Sequence, residues 1–580
     1  MHPRTHRPTL RPGTGPDRRP ARPWAAVVAA GALAAALTGC SLVQDSATTS
    51  GTGSGAESTS VTASAAGQSA QQVLDANLDH SATAVLADQT WEPADEVAVT
   101  LAGASAAADG DGVTVRGSTV TITAPGTYRL SGTLDDGQVV VASSADGVVR
   151  LVLDGADVTS STGAAIDVQD ADQVSVVLAD GSANRLEDAT TYADTTSENA
   201  ADAALYSTAD MVVSGSGALE VVGNANDGIT GKDGLVIASG DITVTAADDA
   251  VRGKDYLVVT GGTLTVDAGG DGLKSDADDD ATAGYVALLG GEMTVRAGSD
   301  GVQGFTDVAV VDGRLTVTES EESIEAAVIA VSGGTVDVTA TDDGFNATVK
   351  EAEDATSSEG TGDTADGSDG SASDGAAGAA GAGAQGPGGG GGEMAVQEGA
   401  SLTVTGGSVH AVAGADAFDS NGVIEVSGGT TVLEVPASSG GGDGALDANG
   451  TTTVSGGTVV ATGNAATGQV SGSSWVSASP DAAVAGGTSV TLAADDGTEL
   501  GTFALTQDAA AIAFTSPDVT SGATYTVQAD GRTLASGTAE DGLSGAMGGG
   551  PGGGGGDGGR PGQAPGGTGT GSGTGTGTSA

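Results

Sequence analysis

The chain has 580 residues, with 76 Asp and Glu against 19 Lys and Arg, a formal net charge of −57, 100 glycines and 2% aromatic residues. So acidic a surface disfavours nucleic acid and anionic lipid headgroups and welcomes divalent cations. Abundant glycine with few aromatics suits short strands joined by tight turns, not packed helices, and Cys40, the only cysteine, excludes an intramolecular disulfide or a thiol cluster for zinc.

The first 39 residues carry Arg4, Arg7, Arg11, Arg18, Arg19 and Arg22, then an apolar stretch from Trp24 to Leu37. That stretch is too short for a permanent membrane span and reads as a signal peptide. It ends in Leu37-Thr38-Gly39-Cys40, which resembles the lipobox of bacterial lipoproteins. Cys40 is therefore expected to carry a lipid and hold the mature chain on the outer side of the cell membrane. Residues 40–85 are rich in Ser, Thr, Gly and Ala and read as a flexible tether.

Strands are signalled by strict alternation at 113–116, 119–123, 149–153 and 174–178. From residue 226 two motifs recur together. One is a Gly-rich turn followed by an alternating strand, at 239–244, 260–266, 290–295, 312–317 and 332–338, and again at 405–409, 427–432 and 455–460. The other is an acidic corner whose last acid is Asp227, Asp249, Asp271, Asp300, Glu322 or Asp343. A recurrence of about 22 residues with strand-like spacers marks a solenoid in which each repeat is one coil. The solenoid is predicted over 90–470, interrupted at 351–393 by a Gly/Ser/Asp-rich insertion taken as disordered. A small antiparallel β cap is expected at 471–537 and a disordered Gly-rich tail at 540–580.

Coils stacked in register put the acidic corners in a column. Ca²⁺, which takes six to eight oxygen ligands, is the ion such a column favours. The expected ligands are Asp227, Asp249, Asp271, Asp300 and Asp343, with Asp276 and Asp278 to Asp280 as local additions. The competing use of these residues is in turns, where Asp-Gly is common. Of the four lysines, Lys232, Lys254 and Lys274 follow the acidic corners, joined by Arg252. They either balance neighbouring acids, contact sugar carboxylates, or supply a base for Ca²⁺-assisted β-elimination. No HExxH, GxSxG or phosphate loop is present.

The segments at 209–219, 247–255 and 269–276, together with 125–134, 152–166 and 516–527, resemble the bacterial carbohydrate-binding domain family typified by a clostridial cellulose- and pectin-binding β-helix protein. The resemblance runs over roughly 90–535. It implies a right-handed parallel β-helix related in fold to pectate lyases, bound calcium, and binding of uronate-containing or cellulosic polysaccharide without catalytic residues. On that reading Lys232, Lys254, Lys274 and Arg252 contact the polysaccharide. A calcium-dependent polysaccharide lyase and a structural adhesin stiffened by calcium are the alternatives.

Overall fold

The computed structural model describes residues 67–193, 195, 199–350, 395–436 and 443–544. The expectations for the signal peptide, Cys40, the tether up to residue 66, the insertion at 351–393 and the tail beyond 544 lie outside these residues.

The described chain is nearly all β. Its central part repeats a unit of three short strands, as in Asp227–Gly231, Gly234–Ile237 and Asp241–Ala246, followed by Val251–Gly253, Tyr256–Val259 and Thr263–Ala268. Each strand pairs in parallel with its equivalent one unit later, so Ile229 lies beside Val251, Leu235 beside Leu257 and Ile242 beside Leu264. Three parallel ladders result, here the first, second and third in the order met along a coil. They continue across the insertion: Val328 pairs with Ser401, Thr335 with Ser408 and Asn346 with Asp419.

The alternation explains the third ladder. In Thr263–Ala268, Leu264, Val266 and Ala268 point inward and the residues between them are exposed. Stacked Ile229, Val251, Leu273, Val302, Ile324 and Phe345 line the inner side of the first ladder and are fully buried. Turns into the third ladder need glycine at their second position: Gly262, Gly291 and Gly313 have φ of +86°, +85° and +92°, and an added Cβ would meet backbone of the preceding coil.

The second ladder behaves differently. Tyr256–Val259, Tyr285–Leu288 and Val328–Val331 are apolar throughout and buried at every position, so both faces of this ladder require cover. The cover is the N-terminal segment. Here the expected tether, which was to run to residue 85, gives way to structure: residues 67–88 lie along the outer face of the ladder. A capping box at Ser69 and Gln72 starts the helix Ala70–Leu74, and Val73, Leu74 and Leu86 join a cluster with Val212, Val236, Val258 and Ala309. Hydrogen bonds pin the strap along its length. Ala70 N–H donates to Ser332 Oγ (2.7 Å), Leu78 N–H to the Thr282 carbonyl (2.8 Å), and the hydroxyls of Thr83 and Tyr256 lie 2.9 Å apart. A Ser/Ala-rich composition masked these few apolar anchors.

At the C-terminal end the ladders meet antiparallel structure. Ser489–Ala494, Glu499–Ala504, Thr524–Ala529 and Arg532–Thr538 form a four-stranded sheet. Ile512–Thr515 runs antiparallel to Thr458–Thr462. Glu540–Ser544, assigned to the tail from its glycines, is a strand paired with Gln469–Ala478. Buried Glu434 ties this unit to the ladders, accepting from the N–H groups of Thr506 (2.9 Å) and Gln507 (2.8 Å) and facing His410 Nε2 at 2.8 Å.

The strap supplies a test. Tyr285 donates to the Leu78 carbonyl at 2.8 Å and meets His80 Nδ1 at 3.1 Å. Tyr285→Phe is expected to cost about 1–2 kcal/mol and to speed hydrogen exchange of amides in residues 70–84, leaving the third ladder protected. Unchanged exchange in the strap would show that its apolar anchors suffice.

Candidate functional site

The acidic corners immediately precede the first-ladder strands. Successive backbone bonds, Gly228 N–H to Asp249 O, Ala250 to Asp271, Gly272 to Asp300, Gly301 to Glu322, Ser323 to Asp343 and Gly344 to Asp416, stack them in one column. Asp227, Asp249, Asp271 and Asp300 are buried, at 0, 4, 3 and 6% exposure. One oxygen of several of these carboxylates secures the next corner. Asp249 Oδ1 accepts from Asp271 N–H (2.9 Å), Asp271 Oδ1 from Asp300 N–H (2.9 Å), Asp343 Oδ1 from Asp416 N–H (2.8 Å), and Asp416 Oδ1 from Gly444 N–H. Aspartate is short enough to reach the next corner and, ionised, only accepts.

A second row lies on the outer face of the first ladder, three residues after each corner. In register it reads Tyr206, Thr230, Arg252, Lys274, Gln303, Glu325, Asn346, Asp419 and Asp447. Its chemistry changes along the stack. Lys274 Nζ sits 3.1 Å from Asp249 Oδ2 and 2.9 Å from Asp271 Oδ2. Arg252 Nε donates to Asp276 Oδ1 (3.2 Å), and its Nη1 lies 3.8 Å from Asp227 Oδ2. The second oxygens of Asp227, Asp249 and Asp271 therefore face protein cations, and Asp276 belongs to an ion pair. Lys232 pairs with Asp202 at 2.9 Å, whereas Lys254 makes no ion pair among the described residues. Asp279 and Asp280 stand exposed in the longer link of the Leu273 coil, where Asp280 accepts from Thr282 N–H.

Farther along, cations become fewer. Asp300, Glu322 and Glu325 offer three oxygens within 4.8 Å of one another, with Gln303 Nε2 donating to Asp300 (2.7 Å) and Lys350 on Glu325 (2.5 Å). Asp416, Asp419 and Asp447 form a second such group, with no cation at ion-pair distance among the described residues. Burial first, then the neighbouring acids, pushes Asp419 up to about 7 and Asp416 up to about 9, while Glu322 rises to about 8 and Asp300 well above the usual carboxylate range. Between the two groups, Asn346 donates to Glu322 (3.0 Å) but its Oδ1 is buried with no partner among the described residues. Both groups are all-oxygen donor sets that fit a hard divalent cation, and Asn346, with its unpartnered amide oxygen, stands between Glu325 and Asp419 in the same row.

Glu322, Glu325, Asp416, Asp419 and Asp447 were not among the expected ligands. For Glu325 and Asp419 the signal was present: an acid three residues after an acidic corner, Glu322 or Asp416, occupies the outer row of the same strand.

Residues 116–370 match the family of carbohydrate-binding domain-containing proteins, the family that the sequence motifs point to. A carbohydrate-binding domain-containing protein of Acetivibrio thermocellus is 40% identical over 137 residues, which is 23% of this chain and 48% of that relative. The chain thus spans about half the length of the curated relative it matches. Among solved structures, the polysaccharide lyase-like protein from C. thermocellum, studied as a gadolinium derivative, is 31% identical over 42% of this chain and 96% of its own, with a TM-score of 0.38.

Two outcomes test the electrostatics. Lys274→Met strands two buried carboxylates and is expected to cost about 3–5 kcal/mol in denaturant unfolding; a loss under about 1 kcal/mol would mean that the acids shed their charge freely. The second concerns pH. A carboxyl whose folded value exceeds its unfolded one stabilises fully below the unfolded value and loses that contribution as pH rises through the folded one. With Asp343 and Asp419 at about 7 and Asp416 at about 9, the melting temperature in EGTA should fall between pH 5 and pH 9. A flat profile would contradict this.

Proposed function

We propose that the chain, whose residues 116–370 match the carbohydrate-binding domain family, binds uronate-containing or cellulosic polysaccharide at the cell surface without cleaving it. On this reading it is anchored through lipid on Cys40. The parallel ladders support reading its body as a right-handed parallel β-helix, with the antiparallel unit beyond residue 470 as its cap. The observation that carries the binding reading is the acidic group Asp416, Asp419 and Asp447, which lacks a cation of its own among the described residues.

Calcium is the proposed ion. Asp416, Asp419 and Asp447 would hold one, and Asp300, Glu322 and Glu325 are the second candidate set. The bound ion would supply the positive charge through which this acidic face tolerates a polyanionic sugar. Asp227, Asp249 and Asp271, already facing Arg252 and Lys274, serve the stack as internal ion pairs, and Asp343 braces the corner at Asp416.

At Lys274 and Arg252 the state of the cation favours binding over lyase chemistry. A proton-abstracting lysine must be neutral, which requires a lowered pKa. The Asp271 and Asp249 carboxylates beside Lys274 outweigh its burial and hold it more firmly protonated than usual, and Arg252 is held likewise by Asp276 and Asp227.

Calcium in hundredfold excess over its Kd should raise the unfolding free energy by about 2.7 kcal/mol for one site, seen as a higher melting temperature than in EGTA. Asp416→Asn with Asp419→Asn should remove much of that gain and weaken calcium-dependent retention on polygalacturonate. No unsaturated uronate product should form. Equal melting in calcium and EGTA would remove the metal sites, and product formation would convert the reading to a lyase.

A further inference from the structure

One link from the third ladder to the first is longer than most: Ala183–Glu187 and Ala203–Ser207 are separated by residues 188–202, whereas the equivalent link between Ala218–Gly223 and Asp227–Gly231 is Asn224 to Asn226. Its described part brings Tyr192 over the outer face of the first ladder. The Tyr192 hydroxyl donates to buried Asp188 Oδ2 at 2.6 Å, and its ring packs against the cluster of Ala164, Ala203 and Tyr206.

Tyr192 is the shared wall of two open clefts. On one side stand Gln138, Thr162, Asp167 and Gln169. On the other, a cleft of about 680 Å³ is lined by Thr190, Asp202, Asn226 and Lys232. The polar groups are held by one another: Lys232 Nζ lies 2.9 Å from Asp202 Oδ2, and Gln169 donates to Asp167 at 2.6 Å. Asp202 Oδ1 and the hydroxyl of fully buried Tyr206 remain without partners among the described residues.

We infer that Tyr192 and the first-ladder residues beneath it form a second polysaccharide subsite, which takes neutral sugar units and needs no calcium. The inference rests on the polysaccharide-binding reading above. Planar carboxylate and amide groups converging beside an aromatic ring match the alternating hydroxyls and C–H faces of a pyranose, since each hydroxyl both donates and accepts. Charge selects the neutral class. Asp167, Asp188 and Asp202 outnumber Lys232, which is already paired, so a free uronate would be repelled where a polyol is not. The subsite occupies the same outer row as the acidic groups. Tyr206 stands five ladder steps from Glu325, about 24 Å at the spacing of neighbouring strands. A single polysaccharide lying along the row reaches both.

The test is calorimetric titration of the full chain with an uncharged β-1,4-glucan hexasaccharide in EGTA. Binding should persist without calcium, fall by about tenfold or more in Tyr192→Ala, and be largely kept in Tyr192→Phe, which retains the ring. Calcium-dependent binding of polygalacturonate by Tyr192→Ala establishes that this variant is folded. Hexasaccharide binding that requires calcium, or that is indifferent to Tyr192→Ala, overturns the subsite. Absence of hexasaccharide binding with polygalacturonate binding intact overturns the subsite alone, and absence of both overturns the polysaccharide reading itself.

Discussion

Stacked like charges are the constraint on which this molecule depends. A coil rise of about 4.8 Å sets each corner carboxylate beside the next, where two unit charges at an effective dielectric of 20 repel by roughly 3–4 kcal/mol. The chain meets that repulsion in three ways along one face. Arg252 and Lys274 are threaded between acids in the middle coils. Gln303, Asn346 and Lys350 relieve the next stretch with amide donors and one ammonium. Past that point, at Asp416, Asp419 and Asp447, the described residues offer no cation, and the acids respond by holding protons more tightly. The face therefore grades from self-neutralised to cation-seeking, and that gradient separates residues that hold the stack together from residues that are open to an ion.

The same logic of incomplete satisfaction governs the second ladder. The second ladder is apolar on both faces, so the stack of coils alone would leave a long hydrophobic stripe in water. The strap of residues 67–88 closes it with a few apolar side chains and hydrogen bonds spread over many coils. Coils of a repeat protein otherwise contact only their neighbours. A segment bonded to Ser332, Thr282 and Tyr256 links distant coils directly and makes opening of one coil costly to others. With that side covered, the third ladder turns Thr, acids and arginines such as Arg296 outward, where Arg296 pairs with Asp267 and Glu319, and the first ladder carries the column of buried carboxylates.

Three features were determined by the sequence alone: the coil period, the inward apolar positions and the column of acidic corners. Each depends only on local alternation and on a recurrence that parallel pairing must bring into register. The family reading drawn from the motifs also agrees with the match over 116–370. What partners each charge was decided by tertiary structure, because the answer lies a coil away. Lys274 could have faced sugar, and instead its ammonium falls between Asp249 and Asp271. Glu325 and Asp447 looked like ordinary acids in strands, and stacking brings them against acids from other coils. The strap was hidden for a related reason. Its few apolar residues carry no strong pattern of their own, and the need for them arises only once the second ladder is assembled with its outer face bare.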